Sequence, residues 1–135
     1  METNLIAEDK IIRIIATSEV CGLILHQAIL FESENKFYIV HQTFAGPEIT
    51  TLDRFTLKRK ILDLKEYKLK KKIVINDLLD NPDYRTFNLI NRNCENFCND
   101  IINTYTTQRH PHASQQVIFW SIVLIFILYA KIKKR

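Results

Sequence analysis

The pattern of apolar and polar positions in the N-terminal half of the chain predicts a β-hairpin. Residues 23–31 and 36–41 are both rich in β-branched and aromatic side chains, which is typical of strands. The polar segment 32–35, Glu-Ser-Glu-Asn, lies between them and predicts the hairpin loop. Residues 11–15 form a short apolar segment, and the pattern leaves its type open.

The second half of the domain shows a change from strand to helix patterning. Residues 60–70 place apolar side chains among charges and predict one or two strands, with a helix as the alternative. Residues 73–80 predict a short helix that Asn81-Pro82 ends. In residues 94–105 the apolar positions recur at helical spacing, and Asn93 is a suitable N-cap for that helix.

The C-terminal segment 117–130 reads V-I-F-W-S-I-V-L-I-F-I-L-Y-A, with Ser121 as its one ordinary polar residue. With residues 131–132 it would form about 24 Å of helix, slightly short of a hydrocarbon core of about 30 Å. The basic residues 133–135 could snorkel to the lipid headgroups. A core helix would show a polar face, which this segment lacks. We therefore expect a transmembrane helix, and a buried C-terminal helix is the alternative.

These patterns predict three parts. Residues 1–105 are expected to form an α+β domain with a small antiparallel sheet packed on helices, and residues 117–135 a C-terminal anchor with a basic end. The polar segment 106–116 between them predicts a linker. His110 and His112 lie in that linker, where we expect solvated side chains rather than metal ligands.

The composition of the chain excludes several classes of functional site. The chain has 135 residues, 47% of them hydrophobic and 25% charged, which is enough for one domain with a packed core. Only 2 glycines are present, so a glycine-rich phosphate loop is excluded. Cys21, Cys94 and Cys98 are too few for a disulfide framework or a four-thiolate zinc site, and unpaired thiols suit a reducing compartment. The N-terminus has no basic region before an apolar run, so we expect no secretory signal.

The charges are unevenly distributed. Residues 54–72 contain nine basic and two acidic side chains. This block could rest on anionic lipid headgroups, and a solvated strand or helix face is the equal alternative. Nucleic-acid binding is less favoured, because few aromatic residues are interleaved with the basic ones.

Two histidines of the predicted hairpin are candidates for a site. If Ser33 and Glu34 form the centre of the turn, His26 lies opposite His41, and the Cβ atoms of such a pair are about 5 Å apart. A register slip of one residue would separate the two rings. Taken alone, two polar strand residues on a solvated face would explain the same pattern.

Cys94 is the candidate nucleophile. It opens the predicted helix, where unpaired backbone N–H groups and the helix dipole favour a thiolate. The alternative is that Cys94 and Cys98 are small core residues on one apolar helix face. We expect that alternative to hold for Cys98.

The three candidates together resemble a known family. The segment N-R-N-C-E-N-F-C-N-D (91–100) resembles the N-C-E-H-F box of the lecithin:retinol acyltransferase-like family, which belongs to the permuted papain-like (NlpC-type) thiol enzymes. The family order is matched by His26 in H-Q-A-I-L-F, His41 in Y-I-V-H and Cys94. Two departures are Gln27, where the family usually has an aromatic residue, and Asn96, where it usually has histidine.

The resemblance spans roughly residues 20–105, includes the segments 50–55 and 83–91, and extends to the C-terminal anchor that also occurs in the family. It implies a permuted papain-like fold and a phospholipase A or acyltransferase activity on phospholipid acyl esters. Cys94 would be the nucleophile, His26 its base and His41 the residue that orients His26, and no cofactor or metal is implied. A thiol peptidase or amidase of the same superfamily, and a catalytically silent membrane-bound interaction module, are the alternatives.

The expected partners are phospholipid and membrane, without nucleic acid. The free thiols and the tail position of the apolar segment favour a cytosolic domain on a single-pass C-terminal anchor. The basic residues 131–135 would, by the positive-inside rule, favour the opposite orientation.

Overall fold

The computed structural model of the protein describes residues 5–18, 25–85, 93–108 and 115–134, and it describes only the backbone of residues 115–120. Cys21, most of the segment 83–91, His110 and His112 lie outside these residues. The described strands are β1 (Ile6–Ala7), β2 (Lys10–Thr17), β3 (Leu25–Ser33), β4 (Lys36–Thr43), β5 (Gly46–Thr51), β6 (Ile61–Lys68) and β7 (Ile73–Val74). The helices are α1 (Leu52–Thr56), α2 (Ile75–Leu79), α3 (Cys94–Tyr105) and α4 (Gln115–Lys133).

The fold is α+β, as the sequence predicts. Five strands form an antiparallel sheet in the order β5-β4-β3-β2-β6, and β1 pairs with β7 in a separate two-stranded ribbon. Strand β3 is central, so both of its faces can be covered by other elements. This central position explains why β3 carries an almost continuous run of buried residues from Gln27 to Phe31.

The expected hairpin is present, but its predicted register is wrong. Strand pairing runs from Ser33 opposite Lys36 to Ile29 opposite Val40. The two turn residues are therefore Glu34 and Asn35, with φ angles of 53° and 66°. Positive φ at both positions is the geometry of a type I′ turn, whose twist suits a two-residue hairpin.

The corrected turn moves the pairing by two residues, and an even shift preserves the side-chain faces. Extending the register by one step sets His41 opposite Ala28 instead of His26. His26 and His41 are consequently diagonal neighbours on one face, a separation that ring side chains can still bridge.

Each face of the sheet packs against a different helix. The face with Ile29 and Phe31 of β3 packs against α3 and forms the larger hydrophobic cluster, which also contains Phe97 and Ile101. The opposite face packs around Phe55 of α1 and contains the following residues of the sheet: Ile14, Ala16, Ala28, Leu30 and Ile39. The domain therefore has two apolar layers with the sheet between them.

Other elements confirm or refine the predicted pattern. The segment 11–15, whose type the sequence pattern leaves open, is part of strand β2. The segment 60–70 contains one strand, the edge strand β6. The predicted short helix over 73–80 is α2, which is preceded by the two-residue strand β7. Helix α3 has the predicted bounds, and the side chain of Asn93 caps it by accepting a hydrogen bond from the backbone N–H of Asn96.

Strand β5 and helix α1 were not predicted as elements. Strand β5 begins with Gly46 and Pro47, residues that are poor strand formers and are tolerated here because β5 is an edge strand. Helix α1 has five residues, which is too short to show a helical period.

The C-terminal segment is helical, as expected, and its described apolar side chains are mostly exposed. Within the described parts of the chain, no helix combines the length and the apolar character needed to cross a bilayer. The expectation of a transmembrane helix is thus not supported by these residues.

Candidate active site

His26 and His41 are in direct contact. His26 Nε2 and His41 Nδ1 are 2.8 Å apart, which is a hydrogen-bond distance. The two rings are nearly perpendicular, at 86°, with centroids 4.9 Å apart. His41 is buried on β4 and His26 is partly buried near the start of β3. The sheet therefore brings together the two histidines that the sequence singled out, although by a diagonal pairing.

Phe55 covers this histidine pair. Its ring centroid is 5.9 Å from that of His26 and 5.7 Å from that of His41. The guanidinium of Arg59 also lies over the Phe55 ring, 4.8 Å from its centroid. Sequence reasoning assigned no role to Phe55, because its position depends on the short helix α1.

Burial controls the ionisation of the pair. The pKa of His26 falls from an ordinary 6.5 to about 3, mainly because burial disfavours the imidazolium, and further because His41 and Arg59 lie nearby. His26 is therefore neutral at physiological pH. A neutral imidazole can accept a proton, which is the state that a general base requires.

Cys94 begins helix α3 beside the same strand. The backbone N–H of Gln27 donates to Cys94 Sγ at 3.5 Å, so the sulfur lies on the backbone of the residue that follows His26. Cys94 is buried, and the first turn of α3 is fixed by the Asn93 cap and by a hydrogen bond from Phe97 N to Asn93 O of 3.0 Å. The sulfur is thus held at the N-terminus of α3, whose first turn is capped.

The thiol and the histidine pair approach β3 from different sides. The side chain of Gln27 points toward α3, whereas the neighbouring His26 projects to the Phe55 face, since successive strand residues alternate. His26 is the second residue of β3, so both groups lie at the same end of that strand. The structure brings the two imidazoles into contact and places the sulfur at the adjacent backbone.

Cys98 is one turn further along α3 and belongs to the core. It is fully buried, and burial raises the pKa of its thiol far above the ordinary value. A neutral thiol among apolar side chains is inert, which agrees with the expectation for this residue.

A buried polar bridge connects α3 to the sheet next to the site. Arg13 Nε donates to Gln27 Oε1 at 2.7 Å, and Gln27 Nε2 donates to Glu95 Oε2 at 3.1 Å. Gln27 and Glu95 are both buried. Sequence reasoning noted Gln27 as a departure from the family pattern, but it did not identify Arg13 or Glu95 as its partners. The only available signal was that Glu95 directly follows Cys94.

The candidate site consists of a thiol at a helix N-terminus and a hydrogen-bonded pair of imidazoles, which reach the same end of β3 from different sides. These groups are those of nucleophilic catalysis with general-base assistance. No protein-family model, curated protein or solved structure matches the chain.

Proposed function

We propose that the protein is a cysteine-dependent acyltransferase or phospholipase A that acts on phospholipid acyl esters, with a permuted papain-like domain of the lecithin:retinol acyltransferase-like kind. The observation that carries the proposal is the 2.8 Å contact between His26 and His41, together with the contact of Cys94 Sγ with the backbone N–H of Gln27 at the same end of β3. The order of these residues along the chain supports the same assignment.

The contact between the histidines limits which nitrogen of His26 could act as the base. His26 Nε2 is engaged with His41, so in the proposed mechanism Nδ1 would receive the proton of the Cys94 thiol. For Nδ1 to be free of a proton, Nε2 must carry the hydrogen and donate it to His41 Nδ1. His41 thereby orients His26 and stabilises the imidazolium that forms, as the third member of other triads does.

The reaction would proceed through a thioester. Cys94 Sγ loses its proton to His26 and attacks the ester carbonyl carbon, which gives a tetrahedral oxyanion. Backbone N–H groups of the first turn of α3 could stabilise this charge, each good donor contributing about 3 kcal/mol. The oxyanion collapses, and the lysophospholipid oxygen leaves with the proton of His26. Water or an amine then gives a proton to the neutral His26 and attacks the thioester carbonyl, and Cys94 leaves as the thiol with that proton while the fatty acid or the amide is released.

The low pKa of His26 defines when the proton moves. With a pKa of about 3, the ring does not hold a proton beside a resting thiolate at neutral pH unless the negative sulfur offsets the cost of burial. The proton would therefore be transferred as the sulfur attacks, so that the imidazolium exists only while an anion lies beside it.

The C-terminal segment supports the choice of phospholipid as the proposed substrate. Residues 117–130 are almost entirely apolar, and the described side chains of α4 are mostly exposed. Burial of these side chains in lipid would hold the domain at a bilayer, where phospholipid esters are present at high local concentration. A cytosolic position of the domain remains part of this proposal.

The experiment is incubation of the full-length protein with phospholipid, followed by intact-mass analysis and measurement of released lysophospholipid. We expect a hydroxylamine-sensitive acyl adduct and product release, both absent in Cys94→Ala. The matched control is Cys98→Ala, which removes a thiol from the same helix and should keep both. Peptide cleavage without a lipid adduct would identify an amidase, and neither reaction in the wild type would identify a silent module.

A further inference from the structure

A surface beside the candidate site combines exposed leucines with exposed basic residues. We call it the basic-apolar patch. It extends from α1 through the connection 57–60 into β6, and its members are Arg54, Leu57, Lys58, Lys60, Leu62 and Leu64. The three leucines are 81%, 51% and 54% exposed, in chain order. Single exposed apolar residues are common, but three within eight positions of one segment are a concentrated apolar surface.

The charge of this patch has one sign. The sequence contains no acidic residue from Arg54 to Leu62, whereas Asp53 precedes this run and Asp63 lies between Leu62 and Leu64. The run 54–62 therefore combines basic and apolar side chains without an acidic one among them. That combination complements an anionic lipid surface, where cations meet the headgroups and leucines enter the acyl boundary.

The patch lies on the same face of the sheet as the histidine pair. Leu64 pairs with Ile14, a residue of the cluster around Phe55, and directly opposed residues share a face. Leu62 lies at a register shift of this pairing, next to Ile61, which pairs with Ala16 of the same cluster. Leu57 is two residues after Phe55, whose ring contacts both imidazoles.

The other half of the basic block lies elsewhere. The backbone N–H of Lys70 donates to Tyr105 O, and Lys71 Nζ is 5.1 Å from the Tyr105 ring centroid. Tyr105 is the last residue of α3, so these lysines are at the end of the helix opposite Cys94. The structure thus divides the basic segment 54–72 into a part near the site and a part remote from it.

We infer that the basic-apolar patch docks on an anionic phospholipid bilayer and presents the histidine face of the sheet to that bilayer. This inference rests on the proposed function, since it adds an orientation to a domain that α4 is proposed to hold at a membrane. Docking would bring the ester region of the lipids toward the imidazoles, which attachment through α4 does not by itself require.

The experiment measures the depth of the patch in lipid by tryptophan fluorescence. A reporter, Leu57→Trp, is placed in a full-length Trp120→Phe background, because Trp120 is the one native tryptophan. The protein is added to vesicles of brominated phosphatidylcholine, with and without phosphatidylserine. We expect quenching at position 57 that increases with phosphatidylserine. A reporter at Lys72→Trp, in the remote half of the block, should be quenched much less.

Charge reversal gives the second arm. Lys58→Glu with Lys60→Glu should reduce docking at least about tenfold, since each basic residue near an anionic surface contributes roughly a fivefold preference. The matched control is Lys70→Glu with Lys72→Glu, which makes the same change of net charge and should leave the quenching at position 57 intact. Equal quenching in both double variants would overturn the inference.

Two further outcomes also overturn it. A change in the fluorescence of the position 57 reporter on concentrating the protein without vesicles would identify a surface for a second copy. A response to nucleic acid but not to phosphatidylserine vesicles would identify a different polyanion.

Failure of the docking and failure of the chemistry remain distinguishable. Docking is measured in Cys94→Ala, which needs no acylation, and thioester formation is measured with a soluble short-chain ester, which needs no bilayer. Loss of quenching with intact thioester formation would reject only the docking surface.

Discussion

The properties of His26 follow from its position on an interior strand beneath an aromatic ring. The backbone alternation of β3 turns it toward Phe55, and its Nε2 is taken by His41. Burial and the neighbouring imidazole and guanidinium all disfavour a positive charge there. A surface histidine would be partly protonated near neutral pH, whereas this one stays neutral and keeps a lone pair available.

This neutral state has a consequence for acid stability. The unfolded chain binds a proton at His26 below about pH 6.5, whereas the folded chain binds it only near pH 3. Between these values the unfolded state holds more protons, so the free energy of unfolding falls as pH falls, by at most about 1.4 kcal/mol per pH unit from this residue. The contribution is fully present above the unfolded pKa and is lost toward the folded one.

The measurement is urea unfolding from pH 7 to pH 4 for the wild type and for His26→Gln. The variant lacks the titrating ring, so its free energy of unfolding should fall less steeply as the pH falls. The difference between the two slopes of unfolding free energy against pH gives the contribution of His26. The hydrogen bond to His41 is altered in the variant, which lowers stability at pH 7 without adding pH dependence of its own from position 26. Parallel slopes would show that the ring of His26 titrates alike in both states.

At the scale of secondary structure, the position of Cys94 depends on how α3 is joined to β3. The Asn93 cap fixes where the helix begins, and the bridge from Arg13 through Gln27 to Glu95 fixes where the helix start sits on the sheet. The acidic Glu95 in the first turn also interacts favourably with the helix dipole. On α3 the bridge and the thiol belong to the adjacent residues Glu95 and Cys94, and on β3 both are contacted by Gln27, so a change in one should move the other.

Removal of the bridge tests this connection. Glu95→Ala leaves the buried amide of Gln27 without its acceptor, which costs about 1–3 kcal/mol of stability. Glu95→Gln keeps an oxygen acceptor of nearly the same shape and should cost clearly less. Urea unfolding of the two variants, with the alkylation rate of Cys94 as a local readout, measures both effects. Equal losses in the two variants would mean that the acceptor at position 95 contributes little.

The elements that sequence predicts best are those whose own residues determine them. Helix α3 has a recurring apolar face and a capping residue within one short segment, and its predicted bounds agree with the structure. The hairpin was predicted as a pair of strands, but its register depended on which two residues tolerate positive φ. Glu34 and Asn35 adopt that conformation, although glycine is absent from the turn.

The parts that sequence does not predict depend on contacts between distant segments. The covering of the imidazoles by Phe55 requires α1, which is too short to show a pattern. The bridge joins residues separated by up to 82 positions, and Arg13, Gln27 and Glu95 each resemble ordinary surface residues in the sequence. The candidate triad can nevertheless be predicted from the sequence, because its residue types and their order along the chain can be read without knowledge of contacts between distant segments.

For the whole molecule, the sheet separates the larger hydrophobic core on one face from the imidazole pair and the basic-apolar patch on the other. The α3 face contains the larger core and the helix that holds Cys94, so it supplies most of the stability. The Phe55 face has a smaller cluster, the imidazole pair and the basic-apolar patch. Substitutions of the patch should therefore affect lipid contact far more than folding, which makes the docking tests interpretable.

The proposed attachment of helix α4 to lipid can be tested separately from both faces of the sheet. Its described side chains from Ile122 to Ile132 are mostly exposed, so they contribute little to the folded core. If α4 holds the protein in lipid, a charge at its middle must be costly there and neutral for folding. Ile125→Lys introduces such a charge, at about 2.5–3.5 kcal/mol for a lysine deep in the bilayer, or roughly a hundredfold loss of vesicle association.

The matched variant is Ile132→Lys, which adds the same charge beside Lys131 and Lys133, where a lysine can extend to the headgroups. Flotation with phosphatidylcholine vesicles, which lack the anionic lipid that the patch requires, should retain Ile132→Lys and lose Ile125→Lys. Both variants should unfold at the wild-type urea midpoint, because neither side chain belongs to the core. Flotation of Ile125→Lys at the wild-type level would show that α4 does not provide the attachment, and the phospholipid substrate would then have to reach Cys94 by another route.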